Sequence, residues 1–365
     1  MEPLRIISAD SHVTEPGDMW LKHMPANWRD RAPRVVRRDN ADWFICEGRR
    51  DSSIGVLSDA GTPANEIRQA MRYEEVRQGA FDPDARVEDL ALDGVEAEII
   101  YPSLSMHIFV LEDAAFQRAA FAAYNDWIAA FCATHPRMFH AVGLISLCDP
   151  VAAAKEVYRV AAKGLSGLMI RAVAPETRPY SSTDYDPFWA AAEEIGLPVS
   201  LHVATGIKGE LLTNFMVENT VVFPYLIQRS MATLIFSGVL DRFPRLKLVS
   251  AENDIGWIGN FLERMDYTAE RHRTWAGGYG IKSGMKPSDI FRRNVWASFM
   301  RDHIGVQTRE AIGVDNIMWA SDYPHVDATW PDSRRVIEEH FRGLPEAHKR
   351  KIVGGNVARL YNIAL

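Results

Sequence analysis

Arg5-Ile6-Ile7-Ser8-Ala9-Asp10-Ser11-His12 is an apolar run that ends in a carboxylate and an imidazole, and this ending decides the fold. The pattern recurs three times. His202 closes Leu197-Pro198-Val199-Ser200-Leu201, Glu252 closes Lys247-Leu248-Val249-Ser250-Ala251, and Asp322 closes Asn316-Ile317-Met318-Trp319-Ala320-Ser321. A strand that is apolar along its length is buried on both faces, as in a parallel sheet. A parallel barrel presents its reactive groups at the C-terminal ends of its strands. Side chains alternate along a strand, so Asp10 and His12 point the same way and can reach one ion.

Working outward, β-rich runs are expected near 5–9, 97–101, 140–147, 167–172, 199–203, 246–251, 294–299 and 317–320, the eight that a (β/α)8 barrel requires. Helical patterns separate them. Ala114–Thr134 is alanine-rich, 150–163 follows a capping Asp149, 186–195 begins Asp-Pro, and 253–267 carries an inward apolar stripe. The fold class is therefore α/β, a (β/α)8 TIM barrel, read as one domain over 1–365. Residues 16–82 break the alternation, with one hairpin-like piece near 43–49. They are expected to lie over the barrel mouth as an insertion after the first strand. Leu211–Ser237, with Phe215, Met216 and Phe223, reads as an outer helix. Its sharper reading is the wall of an apolar pocket or a subunit interface, which would make the protein a homodimer.

Composition narrows the function. The chain has 365 residues, 47% hydrophobic and 24% charged, and a net charge of -7. It carries no basic stripe for nucleic acid and no apolar run of the ~20 residues that cross a bilayer. Cys46, Cys132 and Cys148 are isolated. With no signal-peptide pattern at the start, the expected location is the cytoplasm. Imidazole plus carboxylate suits a divalent metal, zinc first, with manganese and iron as alternatives. The expected partner is a small-molecule substrate.

With these residues in place, the chain resembles the amidohydrolase superfamily. The resemblance is to the amidohydrolase-related branch that includes aminocarboxymuconate semialdehyde decarboxylase and the resorcylate-type decarboxylases. It runs from Ile6–His12 through Leu201-His202 to Ser321-Asp322-Tyr323-Pro324-His325. It implies a distorted TIM barrel in which Asp10, His12, His202 and Asp322 hold one divalent ion. One departure stands out. Branch members commonly carry a histidine after the sixth strand, whereas this chain has Ser250-Ala251-Glu252-Asn253-Asp254. Glu252 could act as general base, as an extra ligand, or structurally as a helix cap or ion-pair partner. His325 reads as an acid/base group or as a partner that orients a ligand.

Arg171 and Arg301 are candidates to hold a carboxylate or enolate, or else form structural ion pairs. His107 is placed to reach the mouth. Trp330, Tyr323, Trp296 and Phe299 suit a flat substrate or are simply core. The leading expectation is a hydrolase in which a metal-activated water attacks, Asp322 takes its proton, and Glu252 or His325 protonates the leaving group. The alternative is a non-oxidative decarboxylase of an aromatic or muconate-like acid. A catalytically inactive scaffold is the third reading. Hydrolysis leads because a carboxylate at 252 repels a substrate carboxylate.

Overall fold

The computed structural model describes residues 3–47, 51–207, 216–275 and 279–364. Eight strands run parallel, each paired to the next in chain order. They are β1 (Ile7–Val13), β2 (Ala97–Pro102), β3 (Phe139–Leu144), β4 (Gly167–Arg171), β5 (Val199–His202), β6 (Leu248–Ala251), β7 (Val295–Phe299) and β8 (Ile317–Trp319). Nearly every residue in them is buried, which is why they read as continuous apolar runs. The seam between β8 and β1 is bridged just past the strand end. The Ser321 N–H donates to Ser8 Oγ at 2.9 Å and the Asp322 N–H to the Asp10 carbonyl at 3.0 Å. The result is a nearly closed (β/α)8 barrel.

Helices wrap the barrel; those beginning at 114, 150, 186 and 216 lie where the sequence expects them, and the one over 83–93 is an addition. Among them are α1 (Pro83–Asp93), α2 (Ala114–Thr134), α3 (Pro150–Ala162), α4 (Asp186–Ile195), α5 (Met216–Phe236) and α6 (Ile258–Arg271). Asp82, Asp113 and Asp149 cap α1, α2 and α3 by accepting N–H bonds of the first turn. α6 starts five residues later than its apolar stripe suggests. Glu252 and Asp254 take left-handed φ values of 55°. The Asp302 carboxylate then accepts the N–H groups of Ile255 and Gly256, holding this stretch as a loop.

The 16–82 segment contains a three-stranded antiparallel sheet of Arg34–Arg38, Ala41–Ile45 and Ser52–Ser53. Its first hairpin turns at Asp39-Asn40, φ 52° and 59°, earlier than the 43–49 expected. Two positive φ values are what a tight two-residue hairpin demands. Among the described residues, no helix is long and apolar enough to cross a membrane.

Candidate metal centre and active site

The barrel's C-terminal rim gathers five side chains at one point. β1 supplies Asp10 and His12 across a bulge, where the register steps from Ser8↔Glu98 to Ser11↔Ile100 and one extra residue is accommodated. His12 Nδ1 bonds the Pro102 carbonyl at 2.8 Å, so that nitrogen carries the proton and Nε2 turns its lone pair inward. His202 does the same through Nδ1 and the Val203 carbonyl at 3.2 Å. The two Nε2 atoms then stand 3.2 Å apart. Asp10 Oδ1 lies 3.5 Å and 3.6 Å from these nitrogens, and Asp322 Oδ1 lies 3.3 Å from His12 Nε2. Glu252 Oε2 is 3.3 Å from His202 Nε2 and 3.7 Å from His12 Nε2. Donors roughly 2.0–2.2 Å from a common ion, at angles of about 90–120°, stand about 2.8–3.8 Å from one another.

A cation also explains otherwise costly features. Asp10 Oδ1 and both Asp322 oxygens are buried and accept no hydrogen bond, although each residue is only 1% exposed. Orphan carboxylate oxygens in a protein interior are strongly disfavoured. Burial and the neighbouring Asp10 push the Asp322 carboxyl well up, and burial with Asp322 does the same to Glu252. Burial together with His325 and His202 drives His12 down. His202 is pushed up to about 9, since Asp10 and Glu252 outweigh the burial that opposes its charge. Carboxylates that crowd one another and two lone pairs aimed at one spot are the donor chemistry of a divalent ion. The residues fit such an ion.

Around this ring sits a supporting layer. His325 stacks on His12 with centroids 3.9 Å apart, its Nδ1 is 3.3 Å from Asp322 Oδ2, and its Nε2 is 3.0 Å from Ser103 Oγ. The Ser103 loop is fixed because the N–H groups of Leu104 and Ser105 both donate to buried Glu15 at 2.8 Å. Ser298 Oγ accepts the Glu252 N–H at 3.0 Å and reaches Asp10 Oδ2 at 3.4 Å. Ala204, Glu252, Asp254 and Asp322 all hold left-handed φ values of 55–60°, a concentration of backbone strain at this rim.

The ring opens into a cavity of about 780 Å³. Leu57, Met106, Phe223, Phe299 and Met300 give it an apolar wall, while Arg301, Asp254 and Asp327 stand among its polar groups. Val56, Leu57 and Gln69 come from the 16–82 segment, and Thr220, Phe223 and Pro224 come from α5. Phe215 and the side chain of Met216 lie outside the described residues.

Three expected substrate-binding residues stand elsewhere. Arg171 donates to the carbonyls of Val173 and Gly206 at 2.6 Å and 2.7 Å and lines neighbouring cavities instead. His107 faces Phe44 with ring centroids 6.0 Å apart. Trp330 donates to the Asp89 carbonyl and lies beneath the Arg77 guanidinium, 3.8 Å from the ring centre. Each follows a strand in sequence, but rim loops and the insertion draw its side chain into packing. Tyr323 packs with Trp330, and Trp296 donates to the Asp315 carbonyl, so of the four aromatics considered Phe299 lines the cavity. The sequence reading missed Ser103 and Ser298, which no local pattern marks.

Comparison with known proteins follows the same line. Residues 42–363 match the family described as amidohydrolase. The Decarboxylase orsB of Emericella nidulans is 29% identical over 222 residues, covering 55% of this chain and 63% of that protein. The chain thus spans less than two thirds of that relative. The gamma-resorcylate decarboxylase of Polaromonas sp. is 23% identical over 312 residues, covering 80% of this chain and 91% of that one. A crystal structure of dihydroxybenzoic acid decarboxylase from Polaromonas sp., with bound manganese and the inhibitor 2-nitroresorcinol, superposes with a TM-score of 0.72. It is 19% identical and covers 99% of this chain and 98% of that one. The chain is therefore an enzyme of the amidohydrolase superfamily, and it belongs to the amidohydrolase-related branch in which resorcylate decarboxylases are found.

Proposed function

We propose that the protein is a metal-dependent, non-oxidative carboxy-lyase that removes CO2 from an aromatic hydroxy acid. The observation that carries this reading is the likeness to resorcylate-type decarboxylases along most of the chain, set beside a donor ring at the floor of an apolar cavity. Hydrolysis, the leading expectation from sequence, becomes the second reading. One observation favours it: Glu252 puts an additional carboxylate beside the point where a substrate carboxylate would arrive.

In this proposal Asp10, His12, His202 and Asp322 hold one divalent ion. Manganese ranks ahead of zinc, by likeness to the manganese-bound dihydroxybenzoic acid decarboxylase. When bound, the ion supplies positive charge that neutralises a carboxylate and a neighbouring ring oxygen of the substrate. Arg301 provides a second cationic contact from the cavity wall. The apolar wall holds the ring and excludes water. Asp322 turns Oδ1 toward the donor ring and Oδ2 toward His325, so Oδ2 is the proton-carrying atom. It delivers a proton to the ring carbon bearing the carboxylate. The C–C bond to the carboxylate then breaks, its electron pair restores the aromatic ring, and CO2 leaves. His325, oriented by Ser103, returns a proton to Asp322. The 16–82 segment covers the cavity and keeps water out, and the chain acts as a single domain.

The test is a reaction in D2O with a panel of hydroxybenzoates, run beside esters, lactones and amides. A carboxy-lyase gives CO2 and a product with one deuterium at the vacated ring position. Turnover of esters or lactones, with no CO2 from any acid, would move the assignment to hydrolysis.

A further inference from the structure

We propose that Glu252 is a fifth direct ligand of the metal, giving the site three carboxylates and two imidazoles. This inference rests on the metal reading above and goes beyond it, because the four-residue set leaves Glu252 free to serve as a proton carrier.

Three observations carry it. The first is placement. Glu252 directly follows β6, as His202 ends β5 and Asp322 follows β8, and its Oε2 lies 3.3 Å and 3.7 Å from the two inward-facing nitrogens. Those separations match the spacing of Asp10 from the same two atoms and of Asp322 from His12 Nε2. The second is the failure of the structural alternatives. α6 begins only at Ile258, and the loop N–H groups ahead of it are taken by Asp302 rather than by Glu252. Among the described residues no arginine or lysine pairs with Glu252, so its ion-pair partners are His12 and His202. The third is backbone commitment. A non-glycine residue at φ 55° is uncommon, and here Ser298 Oγ accepts the Glu252 N–H and reaches Asp10, another member of the ring. The chain is bent so that this carboxylate points inward.

The chemical consequence is selectivity. Tetrahedral sites of three or four protein donors suit zinc, whereas oxygen-rich sites of higher coordination suit manganese and magnesium. A histidine at this place, as branch members commonly have, supplies a neutral nitrogen. Glutamate adds a negative charge and a hard oxygen instead.

The experiment measures metal binding on the full-length protein after chelation and dialysis, with Mn2+ and Co2+ as probes. It compares wild type with Glu252→Ala, Glu252→Gln and Asp254→Asn. The isosteric glutamine guards against a misfolded alanine variant. Asp254 shares the cavity wall but not the donor ring, and controls for loss of general negative charge. The expected result is a loss of Mn2+ affinity of about 10³-fold in Glu252→Ala, beyond the roughly 10–100-fold that follows loss of a group merely bonded to a ligand. The visible absorption of the Co2+ form should strengthen as coordination falls, and Asp254→Asn should match wild type in both respects. A loss below about 100-fold, or a Co2+ spectrum unchanged in both Glu252 variants, overturns the assignment. If wild type itself binds neither ion, the metal reading fails rather than the Glu252 assignment alone.

Discussion

Replacing Arg86 by leucine tests how the barrel holds its active rim in place. Arg86 on α1 and Glu98 on β2 are both fully buried and form a two-pronged pair, with Arg86 Nη2 2.9 Å from Glu98 Oε2. Nη1 donates to the Gly79 carbonyl at 3.1 Å, and the guanidinium lies over the Tyr323 ring at 4.8 Å, next to Asp322. Leucine fills part of the space but leaves a buried carboxylate and a carbonyl without partners. Breaking such a pair from one side costs about 3–5 kcal/mol. Unfolding entropy near 2.1 cal/mol/K per residue gives ~0.8 kcal/mol/K for 365 residues, so the melting temperature should fall by about 4–7 °C. Calorimetry at pH 7 reads this directly. The double variant Arg86→Leu, Glu98→Leu should recover most of the loss, because no lone charge remains. A single variant within about 1 kcal/mol of wild type, or a double variant worse than the single one, would refute the reasoning.

Ser103→Ala removes the hydroxyl that fixes His325, and should lower kcat on the order of 10–100-fold with KM nearly unchanged, read by steady-state kinetics. Arg301→Met should instead raise KM for the acid substrate by roughly 10–100-fold, the scale of a charge-assisted hydrogen bond, with arginine-to-lysine partly restoring it. Asp42 tests acid stability. Its side-chain bonds from Arg37, with the Tyr73 N–H, hold its carboxyl below the ordinary range. The unfolded chain therefore takes up the proton first, and the contribution is complete above pH ~4 and lost as pH falls through the lower folded value. Arg37 is half exposed, so Asp42→Asn should cost only about 0.5–1.5 kcal/mol at pH 7 by urea denaturation, and progressively less as the pH falls below about 4.

Much of the barrel was legible because parallel strands are buried on both faces and leave uninterrupted apolar runs. All eight were located, although β1 extends to Val13 and so carries Asp10 and His12 within it. The helix after β6 was misplaced by five residues because its start depends on Asp302, a residue from beyond β7 that no local pattern connects to it. The residues of the ring, Asp10, His12, His202, Glu252 and Asp322, were readable as polar endings to apolar runs. Arg171, His107 and Trp330 were not separable from true cavity residues, since proximity to a strand end fixes the backbone and not the side chain's direction. The Asp39-Asn40 turn is legible as a tight hairpin, ahead of the 43–49 expected. Ser103 and Ser298 gain meaning only from the imidazole and carboxylate that other strands bring to them.

The central claim is that this donor ring serves decarboxylation, and the most direct measurement is CO2 release from a hydroxybenzoate before chelation, after it, and after Mn2+ is restored. The account predicts release that stops on chelation, returns with Mn2+, and is absent in His202→Ala under all three conditions. Release that survives complete removal of metal, or a Mn2+-loaded protein that frees no CO2 from any acid while cleaving esters or lactones, would contradict it.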